Sequence, residues 1–341
     1  MSSNEIKDNT MTPFIGIDIA KDKFDVCVLR EGHEPQAATF DNTPSGFKQL
    51  QRFLKKRQAQ RSPAAMEATG VYYEELAHFL HQQGYAVSVI NPLQIKAYAQ
   101  SQLRRNKTDR VDAALIADFC RTQQPPLWNP PDPSWYVLRT LVRHLADLEE
   151  DRQRQRNRLA AVKSAARPTP LVVQHLQQQI DFLSQQIKTV KQQIQDHIDQ
   201  YPDLQAQRDL LDSIHGIAQL TAAKLLAEYG DLRQYANVRQ VVAFAGLNPK
   251  HHQSGSSVRG KTRISKIGQP AIRAALYMPA MSAIRTNPLL QPFVHRLQQR
   301  GLSNMEIIVA VMRKLLHFAF GVLKSGLPFD PHFGEKRAAF A

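Results

Sequence analysis

The stretch PFIGIDIAKDKFDVCVLR (residues 13–30) decides the fold of the N-terminal part of the chain. Apolar and polar residues alternate in PFIGIDIA and again in KFDVCVLR, and this period of two indicates two adjacent β-strands. From there to residue 100, strand and helix patterns follow each other in the order β-β-β-α-β-α-β-α. We therefore predict an α/β sheet domain.

Helix starts and a proline-rich stretch mark the limits of this domain. TPSGFKQLQRFLKK (43–56) opens with a capping Thr or Ser, and NPLQIKAYAQSQL (91–103) carries Pro92 in its first turn. Both features are typical of helix N-termini. QQPPLWNPPDP (123–133) predicts a boundary or an extended strap. We place the first domain at 1–125, a linker and coiled-coil helices at 126–204, and a C-terminal domain at 205–341.

The middle region carries a heptad pattern. Its apolar positions are spaced by three and four residues: Val173, Leu176, Ile180, Leu183, Ile187, Val190 and Ile194. This seam, among mostly Gln, favours a coiled coil and hence an oligomer, a dimer to a tetramer. The alternative is one amphipathic helix that packs inside its own chain.

The region from residue 205 is mostly helical by pattern. LLDSIHGIAQLTAAKLLAEYG (210–230) is similar to a helix-hairpin-helix, in which backbone N–H groups of a Gly-containing turn bind phosphate. Ala218 stands where such hairpins usually have a second glycine. A purely structural hairpin is therefore an equal alternative at Gly216.

The charge balance points to a polyanionic partner. The net charge is +14 and the isoelectric point about 9.8, which favours nucleic acid first and an anionic membrane second. No apolar run is long enough to span a membrane, and the N-terminus lacks an apolar signal core, so we expect a cytoplasmic protein. Cys27 and Cys120 have no metal-site spacing and are expected to be small buried residues in a reducing compartment.

Four acidic residues form the candidate chemical site. Asp18 lies on a strand with apolar neighbours, Glu67 ends another strand, and Asp109 and Asp112 share one face of a helix start. If they converge, four carboxylates suit Mg²⁺ or Mn²⁺, and a pair of such ions can hold both oxygens of a phosphodiester exchange. Taken singly, Asp109 is equally well explained as a helix cap, and Asp18 as a strand-edge residue.

Cations and serines surround or follow these acids. Ser254, Gly255, Ser256 and Ser257 predict a flexible small-residue turn, and a serine attacks phosphate only when a base, metal or cation activates it. A loop that grips phosphate without chemistry is the alternative. The candidate nucleic-acid contacts are Arg104, Arg105, Lys107, Arg152, Arg156, Arg259, Lys261, Arg263, Lys266 and Arg273.

Motifs along nearly the whole chain resemble a known family. In order, they are GIDIAKDKFDV, EATGVYYEEL, VSVINPLQIKAYAQSQLRRNKTDRVDA, LRTLVRHL, SIHGI, FAGLNP, SGSSVRG and IRAALYMPAM. As a set they resemble the transposases of bacterial insertion sequences related to the Piv and MooV DNA invertases. The resemblance implies a RuvC-like, ribonuclease H-like N-terminal domain whose DEDD set is Asp18, Glu67, Asp109 and Asp112. It implies a C-terminal transposase domain whose nucleophile is Ser254, supported by Gly255, Ser256 and Ser257.

The same resemblance implies partners. Members of this group act on donor and target double-stranded DNA, with a structured non-coding bridge RNA as guide. They work as tetramers whose active sites combine the RuvC-like domain of one subunit with the serine domain of another. Three alternatives stay open: a RuvC-type Holliday-junction nuclease that uses water, an invertase that needs no RNA, and a non-catalytic nucleic-acid scaffold.

Overall fold

The computed structural model describes residues 12–102, 109–250, 253–254, 258–259 and 263–332, with the backbone alone at 109–110, 250, 253–254, 258–259 and 263. The chain forms two compact units, Met1–Pro130 and Pro131–Ala341.

The first unit is built on a five-stranded sheet. Its strands are β1 (Phe14–Ile19), β2 (Lys23–Leu29), β3 (Gln36–Asp41), β4 (Pro63–Glu67) and β5 (Ala86–Ile90). They lie in the order β3-β2-β1-β4-β5, where β1 is antiparallel to β2 and parallel to β4. The helices are α1 (Pro44–Lys56), α2 (Glu74–Gln82), α3 (Pro92–Ser101) and α4 (Asp109–Gln123). The predicted α/β order is confirmed, as is the pairing of the two strands in residues 13–30.

Local chemistry explains where these elements begin and how the sheet ends. The Thr43 side chain accepts a hydrogen bond from the Gly46 N–H at the start of α1, which confirms the predicted cap. At the sheet edge, the Trp128 N–H donates to the Val87 carbonyl over 2.7 Å, and the Ser88 hydroxyl donates to the Pro125 carbonyl. The proline-rich stretch is thus an extended strap that covers the edge strand β5.

Helix α4 lies directly on β1 because Gly16 has no side chain. A Cβ atom at Gly16 would come within 2.1 Å of the Ala113 carbonyl oxygen and 2.2 Å of the Ala117 nitrogen. Phe14, at the other end of β1, shares an apolar cluster with Cys120 near the end of the helix. The helix therefore runs antiparallel to β1, and its first turn lies at the Asp18 end of the strand.

The second unit is mainly helical, as predicted. Its helices are α5 (Pro133–Lys163), α6 (Pro170–Asp199), α7 (Pro202–Asp212), α8 (Gln219–Tyr229), α9 (Val238–Phe244), α10 (Pro270–Thr286), α11 (Gln291–Gln299) and α12 (Asn304–Ser325). The short strands among its described residues are β6 (Pro249–Lys250), β7 (Gln253–Ser254), β8 (Val258–Arg259) and β9 (Arg263–Ile264). One buried core joins parts of α5 and α6 to the helices that follow them.

The heptad seam is buried inside the chain. Helices α5 and α6 form an antiparallel hairpin in which Leu159 packs with Leu176 and Ile180, and the His197 ring nitrogen lies 2.8 Å from the Ser134 carbonyl. The oligomer that we inferred from the seam stays a prediction. Helix α5 covers the seam, as in the alternative interpretation, so the pattern needs no second copy.

The turn of the helix-hairpin-helix-like element packs against α10. A Cβ atom at Gly216, where φ is +104°, would come within 2.7 Å of the Ala283 Cβ and 3.0 Å of the Pro279 carbonyl. The buried Asn287 donates to the His215 carbonyl from the end of α10. These contacts give Gly216 a packing role, which favours the structural interpretation of this hairpin.

Two expectations from composition concern the cysteines and membrane-spanning helices. Cys27 and Cys120 are buried and unpaired, as predicted, and burial raises the pKa of each thiol to about 11. Across the described residues we find no helix with the length and apolar character that a membrane crossing requires.

Replacing Gly16 by Ala should destabilise the first unit. The added methyl group overlaps backbone atoms of α4 that cannot rotate away, so the free energy of unfolding should fall by about 1–3 kcal/mol or more. Gly321→Ala is the control, since a Cβ in α12 meets nothing within 4 Å. It should raise stability by about 0.5–1 kcal/mol. Equal urea midpoints for Gly16→Ala and the unchanged protein would contradict the contact.

Candidate active site

Asp18 and Glu67 lie side by side at the carboxyl ends of two parallel strands. Ile17 of β1 and Met66 of β4 are partners in the register, so the next residues along the strands are Asp18 and Glu67. Asp18 is two residues from Gly16 and therefore faces α4, as Gly16 does. Both side chains are half-buried between neighbours that are largely closed to solvent. The predicted strand-end pair is thus placed on one face of the sheet.

The first turn of α4 brings a third acid toward this end of the sheet. Asp112 is half-buried and precedes Ala113, whose carbonyl oxygen meets the Gly16 position. Asp109 begins α4, in line with the predicted helix start, and its side chain lies outside the described residues. Among the side chains that the structure describes, no group of three or more His, Cys, Asp or Glu is close enough to hold a metal ion.

Asp25 is a buried carboxylate that the sequence analysis missed. It is the antiparallel partner of Asp18 and is only 6% exposed. The Thr39 hydroxyl donates to its Oδ1 atom over 2.5 Å. Partners in an antiparallel register point to the same face, so two carboxylates lie opposite each other, and such like-charged pairs are destabilising. The period of two along FDVCV placed Asp25 on this face and was the signal available in the sequence.

Residues 249–264 contain two short antiparallel strand pairs, which together we call the hairpin. Lys250 pairs with Arg263 in the outer pair, and Ser254 pairs with Val258 in the inner pair. The described backbone of Ser254 is a short strand paired with Val258, where we predicted the start of a flexible turn. Gly255, Ser256 and Ser257 lie outside the described residues, as do the side chains of Ser254, Arg259 and Arg263.

The hairpin is fixed at its base. The Ser265 N–H donates to the Asn248 carbonyl over 2.8 Å. One guanidinium nitrogen of Arg273 donates to the Ala245 carbonyl at 2.9 Å and lies 3.5 Å from the Gly268 carbonyl. Arg273, a predicted phosphate contact, therefore braces the hairpin with part of its guanidinium group.

The other predicted cations are distributed over both units. Arg152 is half-buried and Arg156 exposed on α5, and Lys266 is exposed beside the hairpin. Arg104, Arg105, Lys107 and Lys261 lie outside the described residues. The Arg154 guanidinium on α5 is paired with Asp151, so the alternating arginines of this helix are not equally available to a phosphate.

Two protein-family models match the chain. One, described as Transposase and of the DEDD IS110 type, matches residues 15–168. The other, described as Transposase IS116/IS110/IS902 family, matches residues 208–295. The first covers the sheet unit and the start of the helical unit, and the second covers the hairpin that carries Ser254.

Curated relatives are similar over nearly the whole length. The pilin gene-inverting protein of Moraxella bovis is 36% identical over 329 residues, which are 94% of this chain and 99% of that protein. The transposase for insertion sequence element IS1328 of Yersinia enterocolitica is 26% identical over 350 residues, 93% of this chain and 98% of that protein. The chain therefore belongs to the IS110-type family of transposases and DNA invertases, a family of enzymes, and the predicted resemblance is confirmed.

Removing the hydroxyl that binds Asp25 should cost stability. Thr39→Val leaves a buried carboxylate oxygen without its donor, so the free energy of unfolding should fall by about 1–3 kcal/mol. Thr189→Val is the matched control, because the Thr189 hydroxyl donates to the Gln185 carbonyl on the exposed face of α6, and it should change stability by about 0.5 kcal/mol or less. Urea unfolding of both variants measures this, and equal losses would contradict a special role for the Asp25 hydrogen bond.

Proposed function

We propose that this member of the IS110-type family cuts and rejoins donor and target DNA through a covalent link to Ser254, with Mg²⁺ held by four carboxylates. One observation carries the proposal. Asp18 and Glu67 lie next to each other at the ends of parallel strands, beneath the helix that begins with Asp109 and contains Asp112. The strand order and this arrangement support the ribonuclease H-like, RuvC-like interpretation of the first unit.

The donor set fits a hard divalent cation. Carboxylate oxygens are the ligands that Mg²⁺ and Mn²⁺ prefer, and Asp18, Glu67, Asp109 and Asp112 would hold the ions. The bound metal would supply charge stabilisation for the attacking and leaving oxygens of the phosphodiester. Because Asp18 and Glu67 lie on hydrogen-bonded strands, their positions are set by the sheet rather than by a loop.

Ser254 would exchange one phosphate ester for another. Its hydroxyl oxygen forms a bond to the scissile phosphorus and gives up its proton to solvent. The bond from phosphorus to the deoxyribose oxygen breaks, and that oxygen takes up a proton. In the reverse step, a deoxyribose hydroxyl of the second DNA attacks the phosphoserine and Ser254 regains its proton. The ester bond is conserved, so rejoining needs no external energy source.

A structured bridge RNA would choose the DNA sequence. The net charge of +14 suits a protein that contacts phosphate backbones over a broad surface, and base pairing would then provide specificity. Homo-oligomers would assemble sites from the carboxylates of one subunit and the serine of another. The contact between subunits would use a surface other than the α6 seam, which α5 already covers.

A site-specific DNA invertase that needs no RNA is the second candidate. The similarity to a pilin gene-inverting protein over 94% of the chain favours inversion as the reaction. Both candidates use the same serine and carboxylates, and they differ in whether a guide is bound.

Ser254→Ala should abolish both DNA cleavage and the covalent protein–DNA adduct. Asp18→Asn should lower Mg²⁺-dependent cleavage by about 100- to 1,000-fold, since a group that stabilises transition-state charge is lost. Adducts resolved on denaturing gels report the first effect, and cleavage of the element's own ends reports the second. The exposed Asp22→Asn is the control, and it should still form the adduct.

Three outcomes would overturn parts of this assignment. If Ser254→Ala recombines DNA at the wild-type rate, Ser254 is not the nucleophile. Cleavage without any adduct points to a RuvC-type nuclease that uses water. Binding of DNA without Mg²⁺-dependent cleavage points to a scaffold.

The protein purified from its native host should carry one discrete RNA encoded beside its own gene. Sequencing the co-purified RNA tests this, and nuclease removal of the RNA should stop recombination in vitro. Recombination that survives RNA removal would favour the invertase that needs no guide.

A further inference from the structure

Tyr72 is an exposed aromatic residue in the loop between β4, which ends at Glu67, and α2. It lies five residues after Glu67 and is 41% exposed, and its neighbour Val71 is 64% exposed. Every other Phe, Tyr and Trp side chain that the structure describes in the first unit is buried or half-buried. Single exposed apolar residues are common, but two adjacent ones in a loop that directly follows a candidate metal ligand require an explanation.

The loop that carries these residues is held in a defined conformation. The Thr69 N–H donates to the Glu67 carbonyl over 2.9 Å, and the Glu74 N–H donates to the Val71 carbonyl over 3.2 Å. Tyr73 packs against the apolar core of the sheet. The backbone is thus anchored on both sides while Val71 and Tyr72 face solvent.

Asn42 ties this loop to the strand that carries Asp18. Its Nδ2 atom donates to the Tyr72 carbonyl and to the Ala20 carbonyl, each over 3.1 Å. Its backbone N–H donates to the Asp22 carbonyl over 2.9 Å. One side chain therefore joins the loop after β1 to the loop after β4. These are the two strands that present Asp18 and Glu67.

We propose that Tyr72 and Val71 form a stacking surface for one nucleobase of the cut DNA strand, next to the scissile phosphate, and that Asn42 is the positioning residue that aligns this surface with Asp18 and Glu67. The inference rests on the proposed function. An aromatic ring stacks on any base without selecting sequence, which suits an enzyme whose specificity comes from elsewhere. The exposed Lys21 in the adjoining loop supplies a cation for the neighbouring backbone phosphate.

The test is cleavage by the full-length protein with its co-purified RNA. Tyr72→Leu keeps an apolar side chain but loses the aromatic face, and cleavage should slow by about 10- to 100-fold. Tyr72→Phe keeps the ring and should stay within about twofold of the unchanged protein. Tyr136→Leu replaces a tyrosine that is also 41% exposed, on α5, and should leave the rate unchanged.

A fluorescent base analogue separates stacking from a merely structural effect. We expect 2-aminopurine beside the scissile phosphate to be quenched when bound to a Ser254→Ala protein, and bright again when Tyr72→Leu is added. Asn42→Asp keeps the size of the side chain but cannot donate to the two carbonyls, so it should reduce both quenching and cleavage.

Two results would overturn the inference. One is wild-type cleavage by Tyr72→Leu, and the other is slowed cleavage with unchanged 2-aminopurine fluorescence at every position tested. In either case the proposed function stands as long as Ser254→Ala remains inactive. Adduct formation by Ser254→Ala would instead remove the proposed function itself.

Discussion

The contact between Gly16 and helix α4 is the constraint on which the acidic site depends. Backbone atoms of Ala113 and Ala117 occupy the space that a side chain at residue 16 would fill. This fixes both the distance and the direction of the helix on the sheet. Its first turn, with Asp109 and Asp112, consequently lies at the end of β1 that bears Asp18. A bulkier residue would separate the acids without changing any of them.

Most of the first unit could be predicted from its pattern, because alternation along a strand and capping residues are local signals. We predicted that Asp18 and Glu67 could converge near the ends of their strands. The parallel pairing of β1 and β4 places them at the same edge of the sheet. The same alternation also places Asp25 on the face of Asp18. We did not predict it as a site residue, because a single acid within an apolar strand pattern carries no further local signal. Its hydrogen bond to Thr39 and its position opposite Asp18 depend on the antiparallel register, which is a tertiary property.

The second unit could be predicted less well, because spacing does not identify the partner of an apolar face. The heptad of α6 led us to favour a second copy as its partner, whereas helix α5 of the same chain covers it. The hairpin near Ser254 has strands of two residues, too short to leave a periodic signal. A basic residue likewise does not reveal its contacts: Arg273 braces backbone carbonyls, and Arg154 is paired with an acid.

The two halves of the proposed chemistry place different demands on the protein. Metal ligands must keep a fixed mutual geometry, which strands and a tightly packed helix provide. A nucleophile that first breaks one strand and then joins another must meet two different DNA ends, so it is better placed on a short strand pair than in the sheet that holds the metal ligands. Asn42 would impose a similarly fixed geometry on the substrate, because it ties the Tyr72 loop to the loop that follows the strand of Asp18. If the base beside the phosphate is held by the same framework as the carboxylates, the phosphate cannot shift without breaking contacts at both.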